Sequence, residues 1–267
     1  MRLLSGDARR AVFAPLDDGA MRSEAVVRRL GSAIALGIIV DGEQLPSEQQ
    51  LAASLNVSTV TLRDALSDLR TRGLVDTRRG RGGGSFVCAS EEALTELARG
   101  RLRELAGTDL RELGDVRAAV SGAAARLAAE RASEGEIERL RETLGRLAAA
   151  TGGTARRRIE SRFFIDVAAA AQSVRLTREE IELQFELGQV MWGAGLAEAD
   201  PLATVEGHHR VVDAIAARDG VLARGLTEEH IASVTARLVD AHVRLMRRHN
   251  RRPDHAANGA FPEAAGT

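Results

Sequence analysis

Residues 78–84, Arg78-Arg79-Gly80-Arg81-Gly82-Gly83-Gly84, set three guanidinium groups on a backbone with almost no side-chain bulk. A guanidinium is a planar fork of N–H donors that matches phosphate oxygens and the edge of guanine. Glycine lets the backbone approach such a partner closely. Upstream, Ser58, Thr59, Thr61 and Arg63 bring hydroxyls and a further guanidinium to the start of a helical pattern. These groups hold phosphate and read base edges; they do not make or break bonds. A solvated helix face beside a mobile surface loop would have the same composition, so position has to decide.

Leu51, Ala52 and Leu55 recur at helical spacing after Pro46 and Ser47, a good N-cap. Asn56-Val57-Ser58 breaks that pattern, and Ser58 or Thr59 can cap a second helix whose apolar face is Leu62, Ala65, Leu66 and Leu69. The result is an ordinary αα-hairpin or a helix-turn-helix with its polar N-terminal end presented to DNA. Directly after it, Leu74–Thr77 and Ser85–Val87 are strand-like and flank the arginine-glycine run, which makes a β-hairpin with a flexible basic tip. A basic hairpin behind a helix-turn-helix is a wing, and favours DNA contact over a bare loop. Ahead of both, Val26, Val27, Leu30 and Ile34 line one face of a helix beginning near Met21, and Asp41-Gly42 turns the chain.

The 267-residue chain has 44% hydrophobic and 28% charged residues, ordinary for a soluble protein with room for two domains. Its positive charge is all arginine, with no lysine, and the net charge of -1 excludes a uniformly basic nucleic-acid-binding chain. Residues 21–90 carry nine Arg against seven acids and residues 91–250 carry 23 against 26, so the hairpin region is the more positive one. A single cysteine, Cys88, excludes an internal disulfide framework and ends an apolar strand, where a structural side chain is expected. No apolar run reaches membrane-spanning length and no signal-peptide core is present, so a cytoplasmic protein without membrane contact is expected.

Residues 1–20 read as a flexible arm and 250–267 as a disordered tail. Between Ala89 and position 249 seven helical segments follow one another, about 91–105, 109–132, 135–150, 154–172, 175–198, 201–219 and 221–249. Asp200 is the N-cap expected before Pro201. The fold class is therefore mainly α: a winged helix-turn-helix of three helices and a hairpin over 21–88, joined to an all-α antiparallel bundle of about seven helices over 89–249.

Gly42-Glu43-Gln44-Leu45-Pro46-Ser47-Glu48, Thr61-Leu62-Arg63-Asp64-Ala65-Leu66, Gly73-Leu74-Val75 and Arg79-Gly80-Arg81-Gly82 resemble the winged-helix domain of the GntR family of bacterial transcription regulators. The helical remainder resembles the FCD-type effector domain of its FadR subfamily, through Asp115-Val116-Arg117, Glu160-Ser161-Arg162-Phe163-Phe164, His208-His209-Arg210 through Ile215, Asp219 and His230. The resemblance implies a homodimer on a palindromic double-stranded operator, most often as a repressor, released by a small acidic metabolite. By position it implies DNA contacts from Ser58, Thr59, Thr61 and Arg63, and from Arg79, Gly80 and Arg81 in the wing. Two positions where relatives often carry arginine hold Gln49 and Thr59, so the operator cannot be borrowed from them.

For the effector domain, the resemblance implies a divalent-metal site of Asp and His four apart on one helix plus two later His about 22 residues apart. Here Glu160 takes the acid position, His208 and His230 have the spacing, and Phe164 replaces the first His. Glu160, His208 and His230 could hold an ion such as zinc, completed by water or effector oxygens. Alternatively the pocket is metal-free and both imidazoles bond a carboxylate effector, with Arg117 as its guanidinium partner. His209 competes with His208 for the inward position, and Arg117 could instead be a surface or interhelix ion-pair residue. Two further alternatives are a helical metal-dependent enzyme using His208, His230 and Glu160, and an adaptor with a degenerate DNA-binding domain. No general base, paired nucleophile or phosphate-binding loop accompanies those three residues, which argues against the enzyme.

Overall fold

A computed structural model describes residues 12–15, 22–88, 90–191 and 201–250. The N-terminal head consists of α1 (Arg22–Ala35), α2 (Glu48–Leu55), α3 (Thr59–Thr71) and the antiparallel strands β1 (Val75–Arg78) and β2 (Gly84–Val87). Ser47 and Gln50 close a capping box at the start of α2, each side chain accepting the other's backbone N–H. Asn56 ends α2 in the left-handed conformation (φ 54°, ψ 44°), which an Asx side chain tolerates. Ser58, extended at ψ 154°, accepts the Thr61 N–H at 3.0 Å and starts α3. The expected faces are inside: Leu51, Ala52 and Leu55 of α2 and Leu62, Ala65, Leu66 and Leu69 of α3 are buried.

The wing differs from expectation in two respects. Arg78 belongs to β1, opposite Gly84, with its guanidinium 4.3 Å from the Phe86 ring centre, so the tip is residues 79–83. In addition, Glu43–Leu45 lies along β2: Leu45 donates to the Ser85 carbonyl at 2.8 Å and Val87 to that of Glu43 at 2.9 Å. A ladder this short has no hydrophobic period to betray it.

Among the described residues seven helices follow: α4 (Glu91–Glu104), α5 (Gly107–Arg131), α6 (Glu134–Ala149), α7 (Gly153–Ala170), α8 (Val174–Met191), α9 (Pro201–Ala216) and α10 (Gly220–Asn250). The continuation of the fifth segment to 198, the Asp200 cap and the tail after 250 lie outside the described residues. So does the arm at 1–20 apart from 12–15, where Val12 is fully buried in the head's core instead of free in solvent. Helix α5 runs along α10 so closely that a Cβ on Gly114 would fall 2.4 Å from Thr235. Ala125, Ala128 and Ala129 of α5 then pack with Leu140 and Leu144 of α6, Phe163 and Phe164 of α7, and Ile215 of α9.

The head and the bundle do not have separate cores. Leu94, Leu97 and Ala98 of α4, Ile165 of α7, and Ile181 and Phe185 of α8 belong to the same buried cluster as the head's own leucines. The boundary at 88/89 is a change of element, and the packing runs across it.

Candidate functional site

The DNA-facing candidates lie on α3 and the wing, and the structure ties several of them down. Thr59, Arg63, Arg79, Gly80 and Arg81 are exposed, and Thr61 is half-buried. The hydroxyls of Ser58 and Thr61 bond each other at 2.8 Å, so each presents a hydroxyl oriented by the cap. The Arg63 Nε donates to Glu48 of α2 at 2.7 Å, across two exposed side chains. Such a pair is weak in water, and the guanidinium can exchange it for a phosphate. At the wing tip Gly83 donates to the Gly80 carbonyl at 2.9 Å, and the Gln44 amide donates to the Gly83 carbonyl at 3.0 Å. The tip is thus a closed turn held from behind. A Cβ on Gly83 would lie 2.4 Å from the Arg78 carbonyl oxygen, so glycine is required there.

In the bundle, Glu160 of α7, His208 of α9 and His230 of α10 converge. Their ligating atoms all lie within 4.8 Å of one another, with the Glu160 carboxylate 3.2 Å from His230 Nε2 and 3.6 Å from His208 Nε2. His208 is the inward imidazole, 1% exposed, and His209 points to solvent. Asp219 serves α10 instead of the pocket, accepting the Leu222 N–H at 2.9 Å. Phe164 is buried against the group, its ring centre 5.4 Å from that of His208 and 5.8 Å from that of His230. Phe163 stacks on His208 with ring centres 4.5 Å apart.

Arg117 of α5 is also buried, 4% exposed, with its guanidinium carbon 4.6 Å from the Phe164 ring centre. A surface role for it is therefore excluded. Its Nε and the Nε2 of His208 are buried atoms without a hydrogen-bond partner. Buried polar atoms are normally satisfied, so the Arg117 Nε marks a place for a ligand, whereas the His208 Nε2 faces the Glu160 carboxylate at 3.6 Å.

Burial alone would raise the Glu160 carboxyl, but His208 and His230 beside it outweigh burial and hold it well below the usual carboxylate range. Burial pushes the His230 imidazole below its ordinary value, against the opposing pull of Glu160. Burial also lowers Arg117, countered by Glu180 and Glu160, though a guanidinium remains charged. At neutral pH the pocket thus holds an ionised carboxylate, a neutral His230 and a cation. That set could bind a divalent ion through the first two types of group or an organic acid through the last.

A cavity of about 20 Å³ opens beside these residues, lined by Arg117, Arg158, Glu160, Ser161 and Gln184, and also by Ala35 and Leu36 of the head. It has room for about one water molecule. Glu180 is a second buried acid, fully enclosed and bonded by Ser121 and Gln184, each at 2.7 Å. Nothing in the sequence singled it out. Its one signal is phase: Glu180, Gln184 and Leu187 share a face of α8.

A winged helix-turn-helix carried on a helical bundle with a buried polar pocket defines a DNA-binding regulator with a small-molecule domain. Residues 22–85 match the bacterial regulatory proteins of the gntR family, and residues 112–233 match the FCD domain. The chain is 40% identical to the HTH-type transcriptional regulator RmpR of Mycobacterium gastri, over 82% of this chain and 81% of that one. It is 28% identical to the HTH-type regulator YcbG of Bacillus subtilis, over 80% of this chain and 88% of that one. A solved GntR transcriptional regulator from Rhodococcus sp. RHA1 aligns over 83% of this chain and 99% of its own at 21% identity, with a TM-score of 0.49. The protein belongs to the GntR family: it is a DNA-binding transcriptional regulator with an FCD effector-binding domain, and not an enzyme. Among the described residues no helix is long and apolar enough to cross a membrane.

Proposed function

We propose that the protein is a homodimeric repressor acting in the cytoplasm, binding a palindromic operator and leaving it when a small carboxylate enters the FCD pocket. The observation that carries the effector assignment is the orphaned buried Nε of Arg117 in the lining of a cavity that reaches the head. A carboxylate would take a charge-assisted hydrogen bond from the guanidinium, and an imidazole N–H would supply a second. In the head, Ser58, Thr59, Thr61 and Arg63 would enter the major groove, and Arg79, Gly80 and Arg81 would follow the backbone into the minor groove.

Release requires that the acid bind better to a dimer whose two recognition helices no longer match successive major grooves. The test is fluorescence anisotropy of duplexes selected from a random pool, at rising salt, with wild type and Arg63→Ala. Wild type should select one palindrome and lose affinity steeply with salt; Arg63→Ala should weaken that binding at least about tenfold. Failure to enrich any sequence would refute the regulator assignment.

A second reading is supported by the close approach of Glu160, His208 and His230. These three residues would hold a divalent ion such as zinc, which would then supply the positive centre for the acid. Phe164 leaves the set one side chain short, and the Arg117 cation opposes a further positive charge. Both favour the metal-free pocket. Metal analysis of the purified protein separates the two, since a tightly held stoichiometric ion would establish the second.

A further inference from the structure

The helix that carries Glu160 also grips the head. Two residues before Glu160, Arg158 donates from Nε to the Ala35 carbonyl and from its terminal nitrogen to the Ile34 carbonyl, both at 3.1 Å. These are the last carbonyls of α1, the negative end of that helix, where a cation is well placed. Gly37, at φ +68°, turns the chain immediately beyond. A Cβ there would lie 2.9 Å from the Arg158 side chain, so the glycine both makes the turn and leaves space for the guanidinium. Arg158 also lines the cavity that holds Arg117 and Glu160 on one side and Ala35 and Leu36 on the other. One side chain therefore borders the pocket and holds the head's first helix.

We infer that Arg158 is the positioning residue through which the pocket controls the head: an anion in the cavity takes its guanidinium from the carbonyls of Ile34 and Ala35 and releases the end of α1. This rests on the pocket being the effector site. A charged oxygen is a stronger acceptor for a guanidinium than a peptide carbonyl, so the exchange is favourable once an anion is within reach. The cavity in its present state is too small for an organic acid. Entry of a ligand must therefore displace part of the lining, and the lining includes α1. The terminal turn that Arg158 braces is made by the N–H groups of Leu36, Gly37, Ile38 and Ile39, which donate back to Ser32, Ile34 and Ala33. Without the brace this turn frays.

The test needs no identified effector, because a carboxylate can be tethered in the cavity. Ser161 lines it and lies three residues along α7 from Arg158, the spacing of neighbours on a helix surface. Hydrogen–deuterium exchange on the full-length protein should show amides 36–39 at least about fivefold faster in Arg158→Ala and in Ser161→Asp, and unchanged in Ser161→Asn. The double variant Arg158→Ala/Ser161→Asp should exchange no faster than Arg158→Ala alone. Operator affinity should fall about tenfold in Ser161→Asp and hold in Ser161→Asn. Unchanged exchange at 36–39 in Arg158→Ala would overturn the inference, as would an additive double variant or an equal loosening throughout α5. A wild type that binds no operator would refute the regulator assignment, while the exchange comparison would still decide the role of Arg158.

Discussion

Phe164→His tests the pocket most directly, because it sets a third imidazole beside Glu160, His208 and His230. In a tetrahedral zinc site with bonds of about 2 Å, neighbouring ligand atoms lie about 3.3 Å apart. The Glu160 oxygen is already 3.2 Å from the His230 nitrogen and 3.6 Å from that of His208, and no two of the three atoms are more than 4.8 Å apart. Closing the set therefore takes about 1.5 Å at its widest, within the reach of side-chain rotation. Phe164 borders both imidazoles, so a ring nitrogen at that position would face the same centre. The metal-free variant should be less stable than wild type by about 1–3 kcal/mol, since a buried apolar ring is exchanged for a polar one. Zinc at a hundredfold excess over its dissociation constant should then add about 2.7 kcal/mol. At about 2–4 °C per kcal/mol for a chain of this size, the melting temperature should rise about 5–10 °C on zinc addition at pH 7.5. His230 is then neutral and can ligate. The assay is melting with zinc and with chelator, together with metal content after dialysis. A variant that retains no more zinc than wild type, with the same melting shift, would refute the geometry.

Three further outcomes are expected. The His230 imidazole titrates below its ordinary 6.5 in the folded protein, so the unfolded chain takes up the proton first. Stability should accordingly decline as pH falls below 6.5 towards the folded value. The Glu160 contribution is present above the ordinary 4.5 and is lost as pH falls through its lower folded value. Urea unfolding at stepped pH should show both declines, and His230→Gln should remove the first. Gly83→Ala should open the wing turn, because its methyl would meet the Arg78 carbonyl at 2.4 Å; anisotropy should show weaker operator binding with the melting temperature little changed. Ser58→Ala removes the α3 cap and should cost about 1 kcal/mol in chemical denaturation. It should also weaken DNA binding, because Thr61 loses the partner that orients it.

Elements with a period or a cap were legible in the sequence. Among the described residues the seven helices beyond position 90 are where apolar spacing and Gly and Ser punctuation put them, the fifth as far as position 191. The helix-turn-helix followed from Ser47 and Ser58, whose hydroxyls cap the two helices, and from Asn56, whose left-handed conformation ends the first. Residues whose meaning depends on a distant partner were not legible. Glu43–Leu45 pairs with a strand some forty residues away, so composition could not announce it. The choice of His208 over His209 rested on spacing, and burial agrees. Arg117 had pocket, surface and interhelix ion-pair roles open, and burial removed the surface one alone. Glu180 and Arg158 had no flag at all, because an acid or an arginine within an amphipathic helix looks solvated until the facing helix is known.

The shared core explains how a pocket in the bundle can bear on a head that looks separable in sequence. Helix α7 sets Glu160 and Phe164 at the pocket while Ile165 is buried with the head's leucines. Helix α8 does the same, with Glu180 and Gln184 at the pocket and Ile181 and Phe185 in the head's core, where the Phe185 carbonyl also accepts the Ser32 hydroxyl of α1 at 2.7 Å. A head joined by a linker alone could turn freely, and pocket occupancy would leave its orientation unchanged. Here two helices serve both sites through adjacent faces, and close-packed interiors transmit displacement without absorbing it. A shift of α7 or α8 that makes room for a ligand must also move side chains packed under α1. The apolar contact carries such a shift whatever the ligand, whereas the Arg158 bonds respond specifically to negative charge. An anionic effector therefore engages both routes, and a neutral molecule of equal size engages only the first.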